Sequence, residues 1–254
     1  MNLSFQLYSA RKFLPWDRIL ARLGELGYRQ VEGFGGVYED PDALIGQLDQ
    51  AGLTMPTGHF SIEALEGDFD AALGLAKKLG IQTIFCPFLV ADQRPGDVAG
   101  WVAFAGRLAA IGKRVRDAGL SFGWHNHDFE FKALDGDTTP QKIILEEAPD
   151  IDWEADIAWI IRGGGEPLQW IEAYGSRITS VHVKDIAPAG QCADEDGWTD
   201  VGHGIVAWHN IMRELKRGAA VKYLVMEHDN PSDYVRFAQR SIESVQSMED
   251  PQNA

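Results

Sequence analysis

Eight times in succession the chain passes from a short strand-like segment to a stretch of helical periodicity, and this alternation restricts it to a layered α/β architecture. Strand signals fall at Leu3–Tyr8, Tyr28–Phe34, Leu53–Phe60, Ile81–Phe88, Leu120–His127, Ile151–Ile157, Ile178–Lys184 and Lys222–Glu227. Helical stretches lie between them, at Trp16–Leu26, Pro41–Ala51, Phe69–Leu79, Val98–Ala118, Gln141–Glu147, Pro167–Tyr174, Ala207–Leu215 and Ser232–Val245. Glycine stops in Leu26-Gly27-Tyr28, Ala51-Gly52-Leu53, Leu79-Gly80-Ile81 and Ala118-Gly119-Leu120 lead directly into the next strand, so the helix-to-strand turns are tight. The strand-to-helix connections are longer and more polar, most of all Val90–Asp97 and Asp185–Ile205. Long loops at one end only suit a barrel whose C-terminal mouth carries function. With 254 residues, 45% of them hydrophobic, the chain has the usual size of a single (β/α)8 barrel, and the expectation is one such domain over 1–254. An open doubly wound sheet would carry a Gly-rich nucleotide loop after its first strand. That position reads Tyr8-Ser9-Ala10-Arg11-Lys12, and Gly33, Gly35 and Gly36 lack the nucleotide-loop register. No interdomain linker is visible, and Met248–Ala254 reads as a frayed tail.

A formal charge of −15 opposes a nucleic-acid partner, because phosphate backbones are held by clustered Lys and Arg and no such cluster occurs here. The two cysteines, Cys86 and Cys192, form no metal-binding or disulfide pattern. Met1 leads at once into an alternating strand without a signal-peptide pattern, and no apolar run approaches the roughly 20 residues that span a bilayer. The expectation is a cytoplasmic protein with no membrane partner; the fold is compatible with a homo-oligomer.

Four of the later strands end in side chains able to bind metal or move protons: Trp124-His125-Asn126-His127-Asp128-Phe129-Glu130, Trp153-Glu154-Ala155-Asp156, Val181-His182-Val183-Lys184-Asp185 and Val225-Met226-Glu227. A core histidine or a helix cap explains one such residue, but recurrence at the same end of consecutive strands points to a site at a barrel mouth. Glu227 closes an apolar strand, where an ionised carboxylate requires a cation or hydrogen-bond donors. His182 lies between two valines. Asp156 is a candidate ligand whose structural alternative is a helix N-cap. His125 and His127 share one strand face, and Glu130 follows three residues later, so three side chains compete for one ligand position. Lys184 shares a face with His182 and is placed to reach a substrate oxygen. His59 and Glu32 also fall at strand ends facing the pocket, and Trp124 and Trp159 serve as apolar walls or as core. This mixed carboxylate and imidazole set suits a divalent cation, first Mn2+, with Mg2+, Co2+, Fe2+ and Zn2+ as alternatives. The absence of thiolates opposes a closed structural zinc site.

The motifs His125-Asn126-His127-Asp128-Phe129-Glu130-Phe131, His182-Val183-Lys184-Asp185, Val201-Gly202-His203-Gly204 and Met226-Glu227-His228-Asp229 resemble the sugar phosphate isomerase/epimerase group of xylose isomerase-like TIM barrels over nearly the whole length. The resemblance implies a metal held at Glu130, Asp156, His182 and Glu227, with His125 standing where many relatives carry Glu. It departs at His203, where relatives often carry Glu. It further implies proton transfer next to a carbonyl on a keto sugar or polyol, with Glu227, His125 and Lys184 as catalytic groups and His59, His127 and Trp159 as substrate contacts. Return of the proton decides between epimerisation and isomerisation, and loss of a β-hydroxyl gives an inosose-type dehydratase or a lyase acting on a 3-keto glycoside. An unphosphorylated substrate is expected. A barrel that binds sugar without turnover is the reading from another class.

Overall fold

The structure, a computed structural model, describes residues 1–136 and 138–249. Eight parallel strands close a barrel: β1 (Asn2–Gln6), β2 (Gln30–Gly33), β3 (Thr54–His59), β4 (Thr83–Cys86), β5 (Ser121–His125), β6 (Asp152–Asp156), β7 (Ile178–Val183) and, after a two-stranded insertion, β10 (Tyr223–Met226). β10 pairs with both β7 and β1, so no sheet edge is left in the barrel. The insertion, β8 (Asp185–Ile186) and β9 (Trp198–Thr199), is an antiparallel ribbon inside the long loop after β7.

Helices α1 (Trp16–Glu25), α2 (Pro41–Ala51), α4 (Phe69–Lys78), α5 (Val98–Asp117), α6 (Pro140–Glu147), α8 (Pro167–Tyr174), α9 (Trp208–Gly218) and α10 (Tyr234–Glu249) fall on the expected stretches. Two short helices were not expected, α3 (Ile62–Gly67) after β3 and α7 (Ile157–Arg162) after β6. Each starts on a side-chain cap, Ser61 and Asp156, that the sequence pattern hides inside a strand-to-helix loop. Gly52 and Gly119 take φ of 66° and 87°, the left-handed conformation that lets a helix stop and the next strand begin at once. Met248 and Glu249 belong to α10, which corrects the reading of the tail from Met248; residues 250–254 lie outside the described residues.

Strand alternation divides the interior in two. Phe5, Val31, Ile84, Phe122, Trp124, Trp153, Val181, Leu224 and Met226 point out to the helices and form the apolar core. The intervening residues Gln6, Glu32, His59, His125, Glu154, Asp156 and His182 point into the barrel, and all are buried. Gly123 leaves room there for the Phe85 ring, which a Cβ would meet at 2.6 Å. Among the described residues no helix is long and apolar enough to cross a membrane. Both cysteines are free thiols.

Candidate metal centre and substrate cavity

Register brings the polar residues of successive strands level. His182 stands opposite Asp156 on one side and Val225 on the other, and His125 opposite Glu154. Ligand-capable atoms of His125, Asp156, His182 and Glu227 all lie within 4.8 Å of one another. A second group under the same criterion consists of His59, His125, Glu154 and His182.

His182 is the hub. Its Nδ1 lies 2.9 Å from Glu227 Oε2 and 4.0 Å from Asp156 Oδ2, while its Nε2 lies 2.7 Å from Glu32 Oε1 and 3.2 Å from Glu154 Oε2. Glu32 is in turn held by the Gln6 side-chain amide, which donates at 2.8 Å. His59 Nε2 sits between Glu154 Oε2 at 2.6 Å and Glu32 Oε1 at 3.1 Å, its ring stacked on that of His182. Lys184 Nζ lies 2.9 Å from both Glu227 Oε2 and Asp229 Oδ2 and 3.4 Å from Asp156 Oδ2, with the indoles of Trp159 and Trp198 about it.

These contacts set the charge states. Burial opposes the charge of His182, but Glu154, Glu227 and Glu32 outweigh it and hold the imidazolium well above the ordinary value. The same contest raises His59 to about 9 through Glu32 and Glu154. Burial opposes the Glu227 carboxylate, yet Lys184 and His182 keep it ionised far below the ordinary range. His125 goes the other way, because burial and the neighbouring His182 push it down to about 3. Burial raises Asp156 to about 6, with Glu227 adding to the shift and Lys184 opposing it.

Asp156 serves both of the uses anticipated for it. Oδ1 accepts the Trp159 backbone N–H at 2.8 Å and caps α7, while Oδ2 accepts no hydrogen bond although it is buried. Glu154 Oε1 and Glu32 Oε2 are likewise buried without a hydrogen-bond partner. Buried carboxylate oxygens left without a hydrogen bond beside a cluster of imidazoles are what a divalent cation would satisfy, and the two carboxylates and two imidazoles of the first group match its donor preferences.

The structure does not bring Glu130 into either group. It closes the short turn after β5, where Oε1 accepts the Trp124 indole N–H at 3.1 Å and Oε2 the His127 backbone N–H at 2.9 Å. Burial lifts its carboxyl to about 8. His125 occupies the β5 position that Glu130 was expected to fill, because strand alternation aims it inward while Glu130 turns back beneath Trp124. Lys184 is fully buried and meets the site through Glu227 and Asp156, without lining the cavity. Trp124 is core. Glu154 was missed as a site residue, although its signal was present: it lies two residues before Asp156 on one strand, hence on the same face.

Above this centre opens a cavity of about 1000 Å³ at the C-terminal mouth. His59, His125, His127, Trp159 and Glu227 reach its surface. The ring of His127 lies 5.0 Å from that of His125 and 5.4 Å from that of Trp159, and His127 Nδ1 and Trp159 Nε1 have no hydrogen-bond partner. The loop after β7 closes one side and is firmly tied. The Asp185 carboxylate accepts backbone N–H groups of Ile186, Gly202, Gly204 and Val206, and Arg236 clamps Glu195 and Asp200. His203 instead meets Arg240 at the exposed surface, so the Val201-Gly202-His203-Gly204 motif shapes the loop and its histidine does not contact the cavity.

A family model described as xylose isomerase-like TIM barrel matches residues 20–249. The inosose dehydratase of Lacticaseibacillus casei is 23% identical over 181 residues, covering 61% of this chain, and the chain spans 57% of that relative's length. A sugar phosphate isomerase/epimerase from Parabacteroides distasonis superposes with a TM-score of 0.79 at 21% identity, covering 97% of this chain and 93% of the other. The IOLI protein, solved with a zinc atom bound, superposes with a TM-score of 0.77 at 15% identity, covering 98% and 96%. Likeness at these identities carries the fold alone, but the family model spans most of the chain and agrees with the closed eight-stranded barrel: the chain belongs to the xylose isomerase-like TIM barrels.

Proposed function

We propose that the chain is a divalent-metal-dependent sugar isomerase or epimerase that moves a proton at a carbon next to a carbonyl of a keto sugar or related polyol. The observation that carries this reading is the convergence of His125, Asp156, His182 and Glu227 within 4.8 Å at the floor of a cavity large enough for a sugar. A divalent ion there supplies Lewis-acid stabilisation of the oxyanion that develops as a weak carbon acid loses its proton. The mixed oxygen and nitrogen donor set can take Mn2+, the ion chosen for the tests, as well as Zn2+, Fe2+, Co2+ or Mg2+.

The chain's own residues supply the proton steps. Glu227 reaches the cavity and accepts the proton, and Lys184, 2.9 Å from its Oε2, keeps the carboxylate charged and fixed. His125 is neutral at physiological pH and also reaches the cavity, from β5. His125 and Glu227 reach the cavity side by side, with ligand-capable atoms within 4.8 Å of one another, so both meet the same part of a ring bound above them. General acid and base groups so placed each contribute about 10²–10⁴-fold. The rings of Trp159 and His127 line the cavity beside His125 and give a bound sugar an aromatic surface.

A second reading follows the same first step with loss of a β-hydroxyl, an inosose-type dehydration. Its support is the His127 ring on the cavity lining beside His125, together with the likeness to inosose dehydratase.

Elemental analysis followed by incubation with Mn2+ and a panel of ketoses, inososes and 3-keto glycosides in D2O, read by NMR, tests both. The expected result is metal near one per chain, lost in Glu227→Gln, with deuterium entering beside a carbonyl. Appearance of an unsaturated product selects dehydration. A protein that takes up no metal and exchanges no C–H across the panel is a sugar-binding barrel without turnover, and the enzyme reading falls.

A further inference from the structure

The cavity is much larger than the proposed reaction requires. A hexose or inositol ring has about a dozen non-hydrogen atoms, whereas about 1000 Å³ stands at the top of the roughly 300–1,000 Å³ range of pockets that take drug-sized ligands. The surplus is not distributed evenly. The proton-transfer groups His125 and Glu227 and the lining rings of His127 and Trp159 cluster at the ends of β5, β6 and β10 and in the segments that follow, Trp159 on α7. Across the mouth, above β2 and β3, the same cavity is walled by Phe34, Tyr38 and Phe60 and floored by Ala64, Ala72 and Leu75 of α3 and α4. Tyr38 and Phe60 stack face to face at 5.1 Å with 26° between their planes, so the pair is a rigid apolar unit at the cavity wall. The small side chains of Ala64, Ala71 and Ala72 keep the opposite side shallow.

We infer that the substrate is a sugar carrying a flat, apolar substituent, a glycoside with an aromatic aglycone rather than a free monosaccharide, with the substituent lying in this apolar lobe. The inference uses the proposed reaction only to place the sugar ring over the His125–Glu227 floor. Continuity of the lobe with that floor, within one cavity, favours a group attached to the substrate over a separate partner. A hydroxylated ring alone would leave Phe34, Phe60 and Leu75 facing water that no ligand displaces. An aromatic ring there removes apolar surface on both sides and packs against the Tyr38–Phe60 pair and Phe34.

The test compares methyl and 2-naphthyl 3-keto-β-glucosides by calorimetric titration, with Mn2+ and after chelation, in the full chain and in Ala64→Trp. The naphthyl compound should bind at least tenfold more tightly than the methyl compound, as expected from the extra apolar area. Ala64→Trp, which fills the lobe from a solvent-facing helix position, should bring that ratio close to one. If metal-dependent exchange of a substrate C–H fails while the naphthyl preference and its loss in Ala64→Trp persist, the lobe stands and the proposed reaction does not. Equal affinity for the two glycosides overturns the inference. It is also overturned if light scattering shows a concentration-dependent dimer that Ala64→Trp dissociates, because the apolar wall then belongs to an interface between copies of the chain.

Discussion

At the scale of single residues, the arrangement around His182 decides which of its nitrogens serves the proposed centre. Nδ1 faces Glu227 and Asp156, and Nε2 faces Glu32, itself fixed by Gln6. A ligating imidazole that donates its remote N–H to a carboxylate is held in one tautomer and orientation, and loss of such a partner commonly costs 10–100-fold in metal affinity. Glu32→Gln should therefore weaken Mn2+ binding by about that factor while the protein stays folded, as measured by titration beside a circular-dichroism melt; unchanged affinity would show that His182 needs no such partner. Glu130→Gln should behave differently. Its carboxyl, raised to about 8 by burial, accepts the Trp124 indole N–H on one oxygen and the His127 backbone N–H on the other, and the single carbonyl oxygen of Gln can keep only one of the two. Metal stoichiometry near one per chain in Glu130→Gln is the expected outcome, with stability lowered by about 1–3 kcal/mol through the N–H left unpaired. A metal-free Glu130→Gln protein would restore Glu130 to the ligand set. The sequence pattern alone left His125, His127 and Glu130 equal, because a period-two rule orders side chains within a strand and says nothing once the chain turns after β5. Glu154 was legible by that rule and overlooked, since two acids two residues apart on β6 must share a face.

At the scale of elements, the loop between β7 and α9 works as a fixed wall. Gly204 is necessary for that shape, because a Cβ would come within 2.1 Å of Asp185 Oδ1 and 2.3 Å of the Ile186 carbonyl oxygen. Gly204→Ala should destabilise the protein by about 1–3 kcal/mol through forced displacement of packed atoms, and hydrogen exchange should quicken first in 185–206. The loop should also loosen in acid. Burial opposes the Glu195 carboxylate, but the Ser232 hydroxyl and amide and Arg236 bring it down to about 2 from the ordinary 4.5. A depressed carboxyl stabilises the fold above its unfolded value, and that contribution disappears as pH falls from about 4.5 towards 2. Trp198 fluorescence followed across that window should report opening before global unfolding. In Glu195→Gln the pH step should be absent, and a step that survives would assign the transition to another group. Sequence periodicity located the main helices and the barrel strands, yet the β8–β9 ribbon and helices α3 and α7 escaped it. They are two to six residues long, too short for a period to register, and they owe their existence to caps and tertiary ties such as Asp156 and Asp185.

At the scale of the whole molecule, the barrel confines an unusual density of buried charge, with Glu32, Glu154, Asp156 and Glu227 facing His59, His182 and Lys184 in one closed interior. Unpaired, any of these would cost several kcal/mol, but each has at least one oppositely charged partner at 2.6–3.4 Å. The barrel itself is closed by backbone ladders around all eight strands and by the apolar shell between strands and helices, and neither depends on a cation. Chelation should therefore leave a folded protein with a single cooperative transition, unlike a small zinc domain that unfolds without its metal. Binding to the native state alone still stabilises it by mass action, about 2.7 kcal/mol when the free ion stands at a hundred times its dissociation constant. For a chain of this length, about 2–4 °C accompanies each kcal/mol, so saturating Mn2+ should raise the melting temperature by about 5–10 °C over the chelated protein. Differential scanning calorimetry measures this directly. The increment should vanish in Glu227→Gln while the chelated variant remains cooperatively folded. A chelated parent without any cooperative transition would instead make the cation part of the fold, and the paired carboxylates and imidazoles would then have to be read as the product of metal loss.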